Sequence, residues 1–222
     1  HDHGDKKTME KLLKRLQAGD DIALISDAGT PLISDPGYRI VAEARKRDII
    51  VAPIPGACAA IAALSVSGLP TDSFYFGGFL PVKSGQRKTA LSALKSSTNT
   101  LVFYEAPHRI LETVEDLLDV FGDQRQAFMA REISKAFETF LQGDLAQLRQ
   151  QIAEDSNQQR GEIVLVIAGA NEKVETSAVD SEMVLKLLLK ELPASKAASL
   201  TAKICGLDKK AIYQAALRLQ DK

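Results

Sequence analysis

Met9, Leu12, Leu13 and Leu16 recur at i, i+3, i+4 and i+7, and Gly19 follows them. That spacing predicts a helix over 6–18 closed by a glycine cap. The apolar runs 22–26 and 49–54 are short and bounded by turn residues, so they read as buried strands. Between them, 38–47 has a helical pattern. Pro55-Gly56 breaks the second run, and 57–67, built almost wholly of small residues, reads as a helix that another backbone can approach closely. The order α-β-α-β-α is that of a parallel sheet with crossover helices.

Leu69-Pro70-Thr71-Asp72 interrupts the pattern, which then restarts. Strands are expected at 74–79, 100–104, 126–131, 138–141 and 162–168. Helices are expected at 84–95, from Pro107 to Gly122 and from an Asp144 cap to about Glu154. Beyond Val179 the pattern is helical throughout. Ser195–Cys205 and a helix capped by Asp208 are joined by Gly206-Leu207-Asp208, as in a helix-turn-helix. The organisation expected is thus 1–70 and 71–177 as two α/β domains and 178–222 as a small helical one.

Composition narrows the function classes. Of 222 residues, 45% are apolar and 26% charged, as in an ordinary globular protein. No apolar run reaches the roughly 18–20 residues of a membrane helix. Cys58 and Cys205 form neither a disulfide framework nor a zinc quartet, which fits a reduced, cytoplasmic setting. Net charge is −1, which argues against a protein that coats polyanions. The charge is uneven, however. Residues 181–222 hold eight Lys/Arg against four acids, a net +4, leaving −5 on the remainder.

Candidate chemistry lies in loops that follow the predicted strands, where ligands of α/β sheets bind. The segment Ser26–Gly37 places Asp27 and Asp35 among Ala28, Gly29, Thr30, Pro31, Ile33 and Ser34. Small residues there let main-chain groups reach a ligand. Asp35 reads equally well as the cap of a helix opened by Pro36. Pro55-Gly56-Ala57-Cys58-Ala59 exposes a helix N-terminus suited to an anion, with Cys58 more a packing residue than a nucleophile. Tyr104-Glu105-Ala106-Pro107-His108-Arg109 and Arg131-Glu132-Ile133-Ser134-Lys135-Ala136-Phe137-Glu138 gather acids, bases and cations densely. No metal site is expected, His1-Asp2-His3 having no partner motif. Neither a P-loop nor a G-x-G-x-x-G fingerprint is present.

Taken in order, these loops, together with Gly78-Phe79-Leu80-Pro81 and Gly161-Glu162-Ile163-Val164, resemble the tetrapyrrole-methylase-like class of S-adenosylmethionine-dependent methyltransferases. Within that class the chain is most similar to the branch acting on small-subunit ribosomal RNA. The resemblance implies a two-domain α/β fold with a helical C-terminal domain, usually homodimeric. It implies S-adenosylmethionine at Asp27, Ala28, Gly29, Thr30, Ile33 and Ser34 and at Pro55, Gly56, Cys58 and Ala59. The reaction it implies is 2′-O-methylation of a cytidine in the 16S rRNA decoding centre, with neither DNA nor membrane as partner. The family's opening strand and Gly/Pro-rich loop have no counterpart before His1, so an incomplete N-terminal domain is expected.

Methyl transfer to a ribose hydroxyl needs a base, or a cation beside the developing alkoxide. Glu105, Glu132 and Glu138 are candidate bases, Arg109, Arg131 and Lys135 candidate cations, and His108 suits either role. Two other readings use the same residues: a small-molecule methylase acting on tetrapyrroles, and a non-catalytic rRNA-binding fragment. The basic tail speaks against the first, since a small substrate needs no such appendage.

Overall fold

The computed structural model describes residues 6–170 and 181–220. His1-Asp2-His3 and the expected boundary at 177/178 lie outside them. The two stretches belong to two compact units.

The first unit is organised by one five-stranded sheet. Its strands are β1 (Phe74–Phe79), β2 (Thr100–Glu105), β3 (Gln126–Arg131), β4 (Thr139–Asp144) and β5 (Ile163–Ile167), in the order β1-β2-β5-β3-β4. Only β1 and β2 run parallel; the other pairings are antiparallel. β5, Ile-Val-Leu-Val-Ile, sits centrally and is buried along its whole length. A run without alternation is what a strand covered on both faces requires.

Period-2 alternation sorts the remaining side chains between two layers. Leu101, Phe103, Met129 and Leu165 face α4 (Ser84–Ser92), α5 (Ile110–Phe121) and α6 (Leu145–Glu154). Val102, Phe128, Val164 and Val166 face α3 (Ala59–Val66), which offers Ala60, Ala63 and Leu64. The small side chains of α3 let it lie close on the sheet. Asp144 caps α6, accepting from the Gln147 N–H at 2.8 Å while Gln147 Oε1 accepts from the Asp144 N–H at 3.1 Å. A buried arginine clasps α4 to α5: Arg87 Nε donates to Asp116 at 2.6 Å, and Nη1 donates to the carbonyls of Pro81 and Val82.

The stretch before β1 corrects the expectation. Helices α1 (Lys6–Gln17) and α2 (Tyr38–Lys46) form as predicted, but 22–26 and 49–54 are not strands, and no parallel sheet links them among the described residues. Most of their apolar side chains stay outside, although Ile49 and Val51 are half-buried; Ile25 is 84% exposed and Ile50 90%. Apolar character favours a strand, but a strand exists only where its N–H and C=O groups meet a neighbour's ladder. Neither run pairs with the other or with the five-stranded sheet.

The second unit packs α7 (Ser181–Leu189), α8 (Ala194–Cys205) and α9 (Lys209–Gln220) around Leu185, Ala197, Ala198, Ala202, Ile212 and Ala216. Gly206 ends α8 in the left-handed conformation, at φ 65°. Asp208 Oδ2 then accepts from the Ala211 N–H at 3.0 Å and caps α9, as the sequence predicted.

Candidate functional site

A cleft of about 500 Å³ opens in the first unit, within the usual size of a small-molecule site. One wall is the loop 26–35. Ser26 Oγ donates to the carbonyl of Ala28 at 2.9 Å, and Thr30 Oγ1 donates to Ala57 O at 2.9 Å, tying this loop to the one before α3. Gly29 sits at φ +74°, and a Cβ there would stand 3.3 Å from the same Ala57 oxygen. Both the conformation and the close approach therefore call for glycine. Leu32 and Ser34 also take positive φ, at 73° and 57°, where non-glycine residues are strained. α2 begins at Tyr38 behind Gly37, so Asp35 does not cap it; Asp35 lines the cleft instead.

The opposite wall comes from the sheet. β2 and β5 run antiparallel with Glu105 opposite Ile163, so the end of β2 lies beside the start of β5. Tyr104–Pro107 and Gly161–Val164 consequently share this wall, with Phe79 from the end of β1. The Tyr104 hydroxyl accepts from the Ala60 N–H at 3.3 Å. Burial, with Cys58 adding, raises the Tyr104 phenol above its ordinary value, so it stays protonated at neutral pH. Cys58 itself packs half-buried against the inner cluster beside α3.

Glu105 is 2% exposed and its oxygens are in use. Oε1 accepts from the Ala106 N–H at 2.7 Å and pairs with Arg109 Nη2, while Oε2 accepts from Thr113 Oγ1 at 2.6 Å. A carboxylate so occupied positions the loop that bears it.

At the rim, Lys135 Nζ lies 2.9 Å from Glu132 and 3.1 Å from Glu162. Glu132 also accepts from the Glu162 N–H at 2.8 Å. That bond first, and Lys135 second, hold the Glu132 carboxyl below the usual range, while both glutamates raise the Lys135 ammonium. Arg131 is spent inside its loop, donating to Thr139 Oγ1 and Phe137 O at 2.8 Å each. Glu138 accepts from the Ser134 N–H at 2.6 Å.

Of the catalytic candidates, the structure brings Glu105 into the cleft wall and Glu132 and Lys135 to its rim through Glu162. Arg109 stands behind Glu105. His108, Arg131 and Glu138 are not part of the lining. Of the cofactor candidates, Asp27, Ala28, Gly29, Thr30, Ile33, Ser34, Cys58 and Ala59 line it. Pro55 and Gly56 do not, although a Cβ on Gly56 would come within 3.8 Å of Thr30 Oγ1. Sequence reasoning gave no role to Phe79 or Glu162. The paired glycines before Phe79, unusual inside a strand, were the available sign.

The wall of small residues, its close main-chain approach and its few carboxylates fit a nucleoside carrying an amino-acid tail. Residues 1–149 match the profile of the Tetrapyrrole (Corrin/Porphyrin) Methylases, and the chain belongs to that family of methyltransferases. Residues 175–220 match the RsmI C-terminal HTH domain. The chain is 52% identical to the Ribosomal RNA small subunit methyltransferase I of Pseudomonas aeruginosa, over all of this chain and 79% of that one. It is 46% identical to the protein of the same name from Escherichia coli O157:H7, over 99% of this chain and 77% of that one. Among solved structures, the methyltransferase CobJ superposes with a TM-score of 0.53 at 15% identity, covering 73% of this chain and 70% of its own. Uroporphyrin-III-C-methyltransferase from Thermus thermophilus gives 0.52 at 20% identity, with the same coverage. At such identities these two show the fold alone.

Proposed function

We propose that this protein transfers a methyl group from S-adenosylmethionine to the 2′-hydroxyl of a cytidine in small-subunit ribosomal RNA. The observation that carries the reading is the cleft itself. A main-chain cradle at Gly29 faces a rim where a carboxylate and an ammonium stand 3.1 Å apart. The similarity to the ribosomal RNA methyltransferases over essentially the whole chain supports the substrate class.

S-adenosylmethionine supplies an already activated methyl on a sulfonium and leaves as a neutral thioether. The chain's share of the work is alignment, a dry site and proton handling. The loop 26–35 and the start of α3 hold the cofactor through main-chain groups. Glu162 takes the proton of the ribose hydroxyl, and Lys135 faces the alkoxide that develops. Glu105 and Arg109 keep the 104–107 loop in place. Glu132 fixes Lys135 beside Glu162.

The docking surface for structured RNA is the second unit. Lys209 and Lys210 are exposed in the first turn of α9, where cations oppose the helix dipole. Their placement is therefore unfavourable for the helix and suited to phosphates, whose contacts position a nucleic acid. The protein acts in the cytoplasm as a homodimer on the assembled small subunit. Among the described residues no helix is long and apolar enough to cross a membrane.

The test is methylation of small ribosomal subunits with radiolabelled S-adenosylmethionine, free tetrapyrrole serving as the competing acceptor. Label on a cytidine ribose is expected; label on the tetrapyrrole alone overturns the reading. In the same assay, Lys209→Ala with Lys210→Ala should weaken subunit binding and lower its salt slope by about one per lysine. An unchanged slope would make the second unit a structural element.

A further inference from the structure

β1 pairs irregularly with β2. Phe76 lies opposite Val102 and Phe79 opposite Tyr104, so three steps along β1 answer two along β2. The extra residue falls at Gly77-Gly78. Regular alternation would send Phe76 and Phe79 to opposite faces of the sheet. The bulge turns both toward Tyr104, with ring centroids 5.0 Å and 5.6 Å away in edge-to-face contact. The glycines are needed for this. A Cβ on Gly77 would stand 2.5 Å from the Phe103 ring, and Gly78 takes φ +61°.

The two phenylalanines then part company. Phe76 packs against the inner cluster, whereas Phe79 is 56% exposed and lines the cleft. The chain just after it is held by buried arginines. Arg109 Nη2 donates to Leu80 O at 3.5 Å, and Arg87 Nη1 donates to Pro81 O at 3.3 Å and Val82 O at 3.1 Å. A large apolar ring is thus left partly in water on a rigid mount, in a cleft otherwise lined mainly by small and acidic residues. Bulges beside sites serve to re-aim a side chain. Tyr104, the other aromatic of the lining, has its hydroxyl engaged with α3.

We propose that Phe79 is a stacking face for a nucleobase bound in the cleft. The inference rests on the function proposed above, in which the methyl donor carries an adenine and the acceptor is a nucleotide. A planar heterocycle is common to both, and a benzyl ring stacks on either without reading its hydrogen-bonding edge. The bulge places the ring in the cleft that loop 26–35 also lines.

The chain has no tryptophan, so Phe79→Trp introduces a single indole as reporter. Its fluorescence is followed during titration with S-adenosylhomocysteine and, separately, with a short single-stranded RNA. Saturable quenching by the first assigns the donor's adenine, and by the second the acceptor's base. Phe79→Leu keeps apolar bulk without the aromatic face and should weaken binding of the quenching ligand by about 5- to 150-fold by calorimetry, while Phe79→Tyr retains it. No quenching by either ligand, with both affinities unchanged in a folded Phe79→Leu protein, overturns the proposal. These are binding readouts. A protein that shows quenching yet leaves ribosomal RNA unmethylated would overturn the function proposed above and leave the stacking face standing.

Discussion

The two walls of the cleft are built by opposite means. Loop 26–35 is main chain held by short polar side chains, with Gly29, Leu32 and Ser34 at positive φ and few buried groups. The sheet wall is side chain held by ions: Glu105 is locked to Arg109, Thr113 and the Ala106 N–H behind a buried strand end. The first wall leaves the cleft open by having little bulk. The second fixes the directions of charged and aromatic groups by burying their supports. Changes to the first should therefore act on binding, as should loss of the Phe79 ring, whereas changes to the charged groups of the second should act on turnover or on folding.

The sharpest break in this division is expected at the rim. Glu162→Gln or Lys135→Ala should lower turnover by about 10²- to 10⁴-fold with S-adenosylmethionine affinity retained. Single-turnover methylation beside calorimetry reads the two separately. Equal loss in both would place these residues in cofactor binding instead.

Glu105→Ala leaves Arg109 buried without its partner, and denaturant unfolding should show a loss of about 3–5 kcal/mol. Glu105→Gln, which keeps an acceptor, should lose less. If Glu105→Ala were as stable as the parent but inactive, Glu105 would belong with the reacting groups.

On the opposite wall, Gly29→Val combines strain at φ +74° with a Cβ pressed on Ala57 O. Affinity for S-adenosylmethionine should fall by about 10- to 100-fold, with unfolding changed by no more than about 1–3 kcal/mol. Undiminished affinity in a folded variant would remove the cradle from that loop.

The smallest effect concerns pH. The Glu132 carboxyl is held down by the Glu162 N–H and Lys135. Its contribution is fully present above the ordinary value of 4.5 and is lost as pH falls through the lower folded value. The protection factor of the Glu162 amide, its exchange rate corrected for the intrinsic pH dependence, should thus be higher at neutral pH than in acid, and Glu132→Gln should flatten that dependence. A parent protein whose protection factor does not change with pH would show that the staple does not form.

Local rules made much of this protein legible from its chain. The periods of α1, α5 and the tail helices, the Asp144 and Asp208 caps, the Gly206 break and the five strands after Thr71 all follow from side-chain spacing and backbone restrictions. The place of loop 26–35 at the cleft was readable in part, because it follows an apolar run and is built of small residues, although a capped structural turn read equally well at Asp35. What tertiary structure alone decided was pairing. The runs 22–26 and 49–54 are as apolar as true strands, yet they stay single because no ladder meets them. Glu105, Arg131 and Glu138 look equally catalytic in sequence, and only their partners in space show that each is occupied within its own neighbourhood. Glu162 and Phe79 gain their places from contacts across 27 and 25 residues of chain, with Lys135 and Tyr104. Periodicity carries which side of its own element a residue faces, but not what stands opposite. In this cleft, what stands opposite sets which charges are paired and which ring is left exposed.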